Sequence, residues 1–414
     1  MLERINFVLG GIILPFLLCA IGLFFIFKLK FFYILHPVRT IKHAFRSSGG
    51  FKPLCVALAG TLGVGNIVGV CSAIMMGGAG AVFWMLISAI VAMSVKYAEA
   101  FLSIKHRRGS VGNYYGGAPY YIADATKGRG HIFGGIFALL CILNSLSTGA
   151  LVQISSVSDA FGDKRLLFGA VFVFACFLVV LGGEGRIQAV SSALIPLLSL
   201  LYIGISLFII FSNPEGVCVA ISRIFKEAFS FKSVLGGGVG FGISSAIRYG
   251  FTRGLLSNEA GCGSATMAHA SSSLNPHSQG CLGIFEVFWD TVVLCLLTAL
   301  VVLIADTDAH SAFSLATSSF KALIGPFGEW FIVCACALFA LATVCSQFYY
   351  GERSLRFLSR SRGAYFAYCL IFLFVCLISP IVTGELLWGI CDLIVTALAL
   401  YNLVFLVILS REVK

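Results

Sequence analysis

Long apolar runs separated by short polar or basic stretches recur along the whole chain. They fall near residues 7–27, 53–76, 81–104, 132–157, 166–182, 187–211, 235–270, 280–304, 327–348, 364–380 and 384–409 and predict eleven helices. Most are long enough to cross a hydrocarbon layer about 30 Å thick. Their apolar residues run around the whole helix instead of forming one stripe, so lipid must solvate them, and only helices or closed barrels satisfy their own backbone there.

Two runs contain glycine at a density that helices resist. Ala59-Gly60-Thr61-Leu62-Gly63-Val64-Gly65-Asn66 lies in the second and Ser257-Asn258-Glu259-Ala260-Gly261-Cys262-Gly263-Ser264 in the seventh. Each interior glycine costs about 1 kcal/mol relative to alanine, so both stretches are expected to unwind at membrane depth and leave backbone groups for a ligand to satisfy. Glycines that let helices pack closely are the simpler account of one such run. Two runs at matching places, each with an asparagine, favour binding. With the first helix set aside, ten helices divide into two sets of five, each opened by a broken helix. An odd number per set inverts the second half, which is the signature of a secondary transporter with a midplane site. The implied organisation is an extra helix and basic linker over 1–52, a first repeat over 53–211, an extracytoplasmic connection over 212–234 and an inverted repeat over 235–414.

Composition agrees with this picture. Of 414 residues 59% are hydrophobic and only 11% charged, against about a quarter charged in soluble domains. The net charge of +10 comes from short clusters (Lys28 to Lys52, Lys105 to Arg129, Arg353 to Arg362) that flank apolar runs, so it points to orientation and not to nucleic acid. With the amino terminus outside and the carboxyl terminus in the cytoplasm, all three clusters lie inside and Asp306 and Asp308 outside. The first run is too long for a signal-peptide core and reads as a retained helix in a multi-pass bacterial inner-membrane protein. The 15 cysteines form no C-x-x-C pair and read as small packing residues.

Enzymatic and channel functions fit less well. No H-E-x-x-H, G-x-S-x-G or metal-spaced carboxylates occur, and the two dissimilar breaks do not make the ring of a selectivity filter. Lys96 and Glu99, three apart near a helix end, read as an intrahelical pair that snorkels. Glu259 is expected to brace the second break or face Arg253 or Arg248; Asp290 and Asp392 have no partner legible in sequence, and His269 reads as a hydrogen-bonded packing residue.

The blocks ALAGTLGVGNIVGVCSAIMMGGAGAVFW (57–84), GGAPYYI (116–122), AIRYGFTRGLLSNEAGCGSATMAHA (246–270) and YYGER (349–353), with Lys96 to Glu99 and Asp290, resemble the alanine or glycine:cation symporter family over nearly the whole chain. That resemblance implies an all-α fold, the inverted five-plus-five arrangement of neurotransmitter:sodium symporters with one extra N-terminal helix. Its function would be cation-coupled symport of a small neutral amino acid by alternating access. It implies that the Val64 and Gly65 amides take the substrate carboxylate, that Gly261 and Gly263 take its amine or leave space for its α-carbon, and that Cys262 lines the pocket. Asn66, Gln153 and Gln347 would line the same pocket. Sodium would be held by the Ala59, Thr61 and Leu62 carbonyls, the Asn66 side chain and the Thr343 hydroxyl. Val64, Cys262, Gln347 and Ala342 replace threonine, leucine or methionine, tryptophan and threonine of many relatives. These changes leave open which amino acid is preferred and whether sodium or a proton is the coupling ion.

Overall fold

The computed structural model describes residues 2–45, 48–110, 113–158, 161, 164–229, 241–382 and 385–414. The expected start of the seventh helix, 235–240, and part of the 212–234 connection lie outside the described residues. Helices occupy the apolar runs. They are α1 (Arg4–Lys28), α2 (Phe51–Thr61), α3 (Val68–Gly77), α4 (Gly80–Lys105), α5 (Gly130–Ser158), α6 (Arg165–Val180), α7 (Gly183–Ser212), α8 (Pro214–Ala228), α9 (Phe241–Asn258), α10 (Thr266–Ala270), α11 (Pro276–Ala305), α12 (Ala312–Ile324), α13 (Pro326–Leu358), α14 (Arg362–Ile378) and α15 (Glu385–Ile408). Among the described residues 7 helices are long and apolar enough to cross a membrane. Of the remaining apolar runs, α3, α6 and α14 are shorter helices, and α9 spans 18 residues but carries two arginines and several serines and glycines.

The pieces pack into two groups. In the first, α4 lies against α9, α11 and α1, and α9 lies against α3. In the second, α13 lies against α5 and α6, and α14 packs on both α6 and α13. The two meet where α2 touches α7 and α13. Small residues set these distances. A β-carbon on Gly250 of α9 would fall 2.4 Å from the Ala81 carbonyl, and one on Gly283 of α11 would fall 2.9 Å from that of Lys96, so α4 is approached at backbone distance from both sides.

Two features lie beyond the sequence expectation. First, α8, α12 and two eight-residue helices, Pro37–Ala44 and Ala118–Ala125, are additional helices between the apolar runs; α8 starts at Pro214, whose fixed φ suits a first turn. Second, three long helices carry wide π turns, Leu9–Ile13 in α1, Ser147–Leu151 in α5 and Phe288–Cys295 in α11. The last lies beside both interrupted helices and the second packs on α13, α14 and α15, and such turns accumulate at functional sites because they leave backbone groups free and re-aim side chains.

The chain ends by docking on the end of α4. The Tyr97 hydroxyl donates to the Lys414 carbonyl at 2.8 Å, and Glu412 lies 2.8 Å from Lys105 and 3.0 Å from His106. Partial burial pushes the Glu412 carboxyl up, but the neighbouring Lys105 and His106 outweigh it and hold the group below its ordinary range.

Candidate functional site

The first break starts where α2 ends at Thr61. Gly63 is extended (φ −116°, ψ −157°), a single turn covers Val64–Asn66, and α3 begins at Val68. The freed groups find partners. The Gly63 amide donates to Asn66 Oδ1 at 3.2 Å and the Val64 amide to Gln153 Oε1 at 3.0 Å. The Leu62 carbonyl accepts from the Thr343 hydroxyl at 3.3 Å, and the Thr61 carbonyl from the Gly63 amide at 2.9 Å. A β-carbon on Gly63 would lie 2.6 Å from Gln153 Oε1 and 2.8 Å from Thr343 Oγ1. Leu62, Val64, Gln153 and Thr343 therefore surround one point. Ala59 is buried in the last full turn of α2.

Asn66 ties the break to the first helix group. Its Nδ2 donates to Asp290 Oδ1 at 2.7 Å and lies 3.1 Å from Ser257 Oγ, while its carbonyl accepts from the Thr298 hydroxyl at 2.9 Å. Asp290, in the π turn of α11, is wholly buried and also accepts from Ser257 and Thr291, each at 2.8 Å. Every donor to this carboxylate is neutral. A buried carboxylate without a cation is costly, so Asp290 is a place where a positive ion would gain. Ser257 stands at the end of α9, and its Cα would be 3.8 Å from a β-carbon on Gly65. The two interrupted helices thus meet at Asn66, Gly65 and Ser257. Sequence gave Asp290 no partner because the contact spans 224 positions.

At the second break Glu259, Gly261 and Gly263 have φ of 48°, 92° and 72°. L side chains rarely adopt this left-handed region, which accounts for the two glycines. The loop is pinned by groups that sequence reasoning missed. Asn402 Nδ2 donates to the Gly261 carbonyl at 2.9 Å and to Glu99 Oε1 at 2.8 Å; that oxygen also accepts the Gly263 amide at 2.9 Å, and the Tyr121 hydroxyl donates to Asn402 Oδ1 at 2.5 Å. Gly261 packs on Leu18 and Leu403. Cys262 borders a cavity between α1, α9 and α15 that Arg248, Arg253 and Asp392 also line.

For two charged residues the structure narrows or changes the expectation, Glu259 bracing the break and Lys96 staying inside the bundle. Glu259 faces neither Arg253 nor Arg248; it accepts from Ser264 at 2.5 Å and from Gln347 Nε2 at 2.8 Å. Lys96 does not snorkel, because α4 is enclosed by α9 and α11 at its level and the side chain is 1% exposed. Its ammonium lies 3.2 Å from Glu286 and 4.0 Å from Glu99. These are ion pairs by distance, though the Lys96 nitrogen makes no aligned hydrogen bond. Glu286 also meets His269 Nε2 at 2.8 Å, whose other ring nitrogen lies 2.6 Å from Gln279, so His269 is a hydrogen-bonded packing residue as expected.

Gln347 Oε1 and Thr148 Oγ1 are buried without a partner. A β-carbon on Gly149 would be 2.6 Å from the Gln347 side chain, so the π turn of α5 packs directly on that residue. Orphan oxygens carry a desolvation cost that a polar ligand can relieve.

Known proteins share this sequence and architecture. The chain is 33% identical over its whole length to the uncharacterized transporter YflA of Bacillus subtilis, covering 91% of it. It is 32% identical over 99% of its length to the probable sodium/glutamine symporter GlnT of the same organism, covering 87% of that protein. It is 34% identical over its whole length to the sodium/alanine symporter AgcS of Methanococcus maripaludis, covering 95%. A variant of the manganese transporter of Eremococcus coleocola has a similar fold, with a TM-score of 0.57 at 14% identity over 86% of this chain and 75% of that one. The profile of the sodium:alanine symporter family, a family of transporters, matches residues 1–414, and the chain belongs to that family.

Proposed function

We propose that this multi-pass membrane protein carries out cation-coupled symport of small neutral amino acids such as alanine or glycine, with sodium as the coupling ion. The helices following α1 would form two inverted repeats of five, 53–211 and 235–414, and the site would open alternately to either side as one helix group rocks against the other.

The observation that carries this reading is the meeting of the two interrupted helices over a buried carboxylate, where Asn66 of one and Ser257 of the other both donate to Asp290. A cation beside Asp290 would replace the neutral donors and free Asn66 to turn. The Val64 amide, now on Gln153, is the group a substrate carboxylate would take over, and the Gln347 oxygen, buried without a partner, would receive its ammonium. The contacts Val64–Gln153, Leu62–Thr343 and Glu259–Gln347 all cross from the first helix group to the second. A ligand bound at this seam is therefore held by both moving parts. The names of the sodium/alanine and sodium/glutamine relatives support both ion and substrate class.

Proton coupling is the second reading, favoured by the same carboxylate, since Asp290 can take a proton in place of sodium. Uptake of radiolabelled alanine and glycine into proteoliposomes, with an inward sodium or an inward proton gradient, separates the two. Sodium-driven, saturable uptake that Asn66→Ala abolishes is the expected result; stimulation by the proton gradient alone would transfer the ion assignment, and uptake without saturation would sink the carrier reading.

A further inference from the structure

The carboxyl end of α13 and the start of α14 form one side of a crevice of about 440 Å³ lined by four arginines, Arg353, Arg356, Arg360 and Arg362. Its other wall includes Tyr115 and Tyr120, Tyr365 stands on α14 beside the arginines, and no carboxylate is among the described lining residues. Two of the arginines are balanced from behind: Arg353 bonds Glu184, and Arg356 lies 2.5 Å from Glu352. Arg360 and Arg362 are exposed, and among the described ion pairs neither has an acidic partner. Arg353 is 8% exposed, and its Nε is buried without a hydrogen-bond partner.

A loop basic only to orient the chain would spread its charges into water. Here four guanidinium side chains line one recess, and two of them have no acidic partner among the described ion pairs. The planar fork of arginine matches the oxygens of a phosphate in a way that lysine does not, and the Ser359 and Ser361 hydroxyls on the same wall can donate as well. We propose that this crevice binds a phosphate group, supplied by the headgroup of an anionic phospholipid or by a soluble phosphate. The lipid source rests on the membrane placement proposed above; the site itself does not depend on what is transported.

The position gives the site a consequence. The arginines follow α13, in the second helix group, whereas Asn113 and Tyr115 on the facing wall follow α4, in the first. The Tyr120 ring packs 5.0 Å from Phe357 of α13, so the two walls already touch. A bound phosphate adds a bridge between the groups at this end and resists their separation.

The test uses the full chain in nanodiscs of phosphatidylcholine with or without phosphatidylglycerol, reading retained lipid by mass spectrometry and the thermal midpoint with and without inorganic phosphate. Wild type is expected to retain phosphatidylglycerol selectively and to unfold at a higher temperature with it. Arg360→Ala/Arg362→Ala, which removes only exposed side chains, should weaken that binding by about thirtyfold. Arg360→Lys/Arg362→Lys should lie between, keeping charge but losing the fork. Stabilisation by inorganic phosphate with no preference among lipids would assign a soluble ligand to the same site. Equal binding by wild type and the double alanine variant, or no response of wild type to either ligand, overturns the proposal. None of these readouts uses amino-acid uptake, so failure of the symport reading would leave this result standing on its own.

Discussion

Asp290 is the residue on which the proposed coupling turns, because it is buried and receives hydrogen bonds from Asn66, Ser257 and Thr291 but, among the described residues, no ion pair. Asp290→Asn keeps the shape and removes the charge. If a cation sits there, the sodium concentration for half-maximal uptake should rise at least about tenfold, which is about 1.4 kcal/mol of lost attraction. Unchanged sodium dependence would place the ion elsewhere. The glycines of the two breaks should separate just as cleanly. A β-carbon on Gly65 meets nothing closer than 3.8 Å, whereas Gly263 has φ of 72° and would push a β-carbon to 2.9 Å from Asn402. Gly263→Ala should cost about 1–2 kcal/mol for the left-handed backbone and a further ~1–3 kcal/mol for crowding. Its thermal midpoint in detergent should fall while that of Gly65→Ala stays near wild type; equal midpoints would contradict the geometry. Glycine density was legible in sequence, but which glycine must be left-handed was not, since that depends on Asn402 more than a hundred positions away.

The elements were legible wherever a long apolar run defines them, and both interruptions could be placed to within a few residues. The π turns of α5 and α11 could not, because one extra residue in a helix that is apolar all round leaves no mark on the pattern. Helices α8 and α12 were missed for a different reason. The α8 segment mixes Glu215, Arg223, Lys226 and Glu227 with its apolar positions, and α12 spans only 13 residues, so neither resembles a membrane span. At this scale the second break depends on α15. Asn402 bonds both Gly261 and Glu99, and Tyr121 bonds Asn402. Asn402→Ala would strand the Tyr121 hydroxyl and the Gly261 carbonyl, each at about 1–3 kcal/mol. The expected outcome is faster amide hydrogen exchange at 261–264 with α9 and α11 unchanged. Uniform loss of protection would instead mean that Asn402 supports the whole bundle and not this loop.

Across the whole molecule the site sits on a seam. Hydrogen bonds at Val64, Leu62 and Glu259 cross it, whereas the Lys96–Glu286–His269 cluster lies wholly within the first group. A buried ion pair of this kind contributes little net stability, yet breaking it by removing one partner is expensive. That suits a cluster holding α4, α10 and α11 as one body while the seam opens. Rocking moves a ligand across the bilayer only if the two ends of the bundle face opposite sides, and charge predicts which end is which. The arginines at the α13–α14 junction belong in the cytoplasm and the acidic link between α11 and α12 outside. Both regions offer exposed positions, Ser361 at the first and Asp308 at the second. Cysteines placed there by Ser361→Cys and Asp308→Cys, with Cys218 and Cys334, the exposed native thiols, changed to serine, give a direct reading. In intact cells a membrane-impermeant maleimide should label position 308 and reach 361 only after the membrane is opened. The reverse pattern would invert the molecule, and equal labelling of both positions would mean that the two loops lie on the same side. In that case no rocking motion of these helices could carry a substrate from one side of the bilayer to the other.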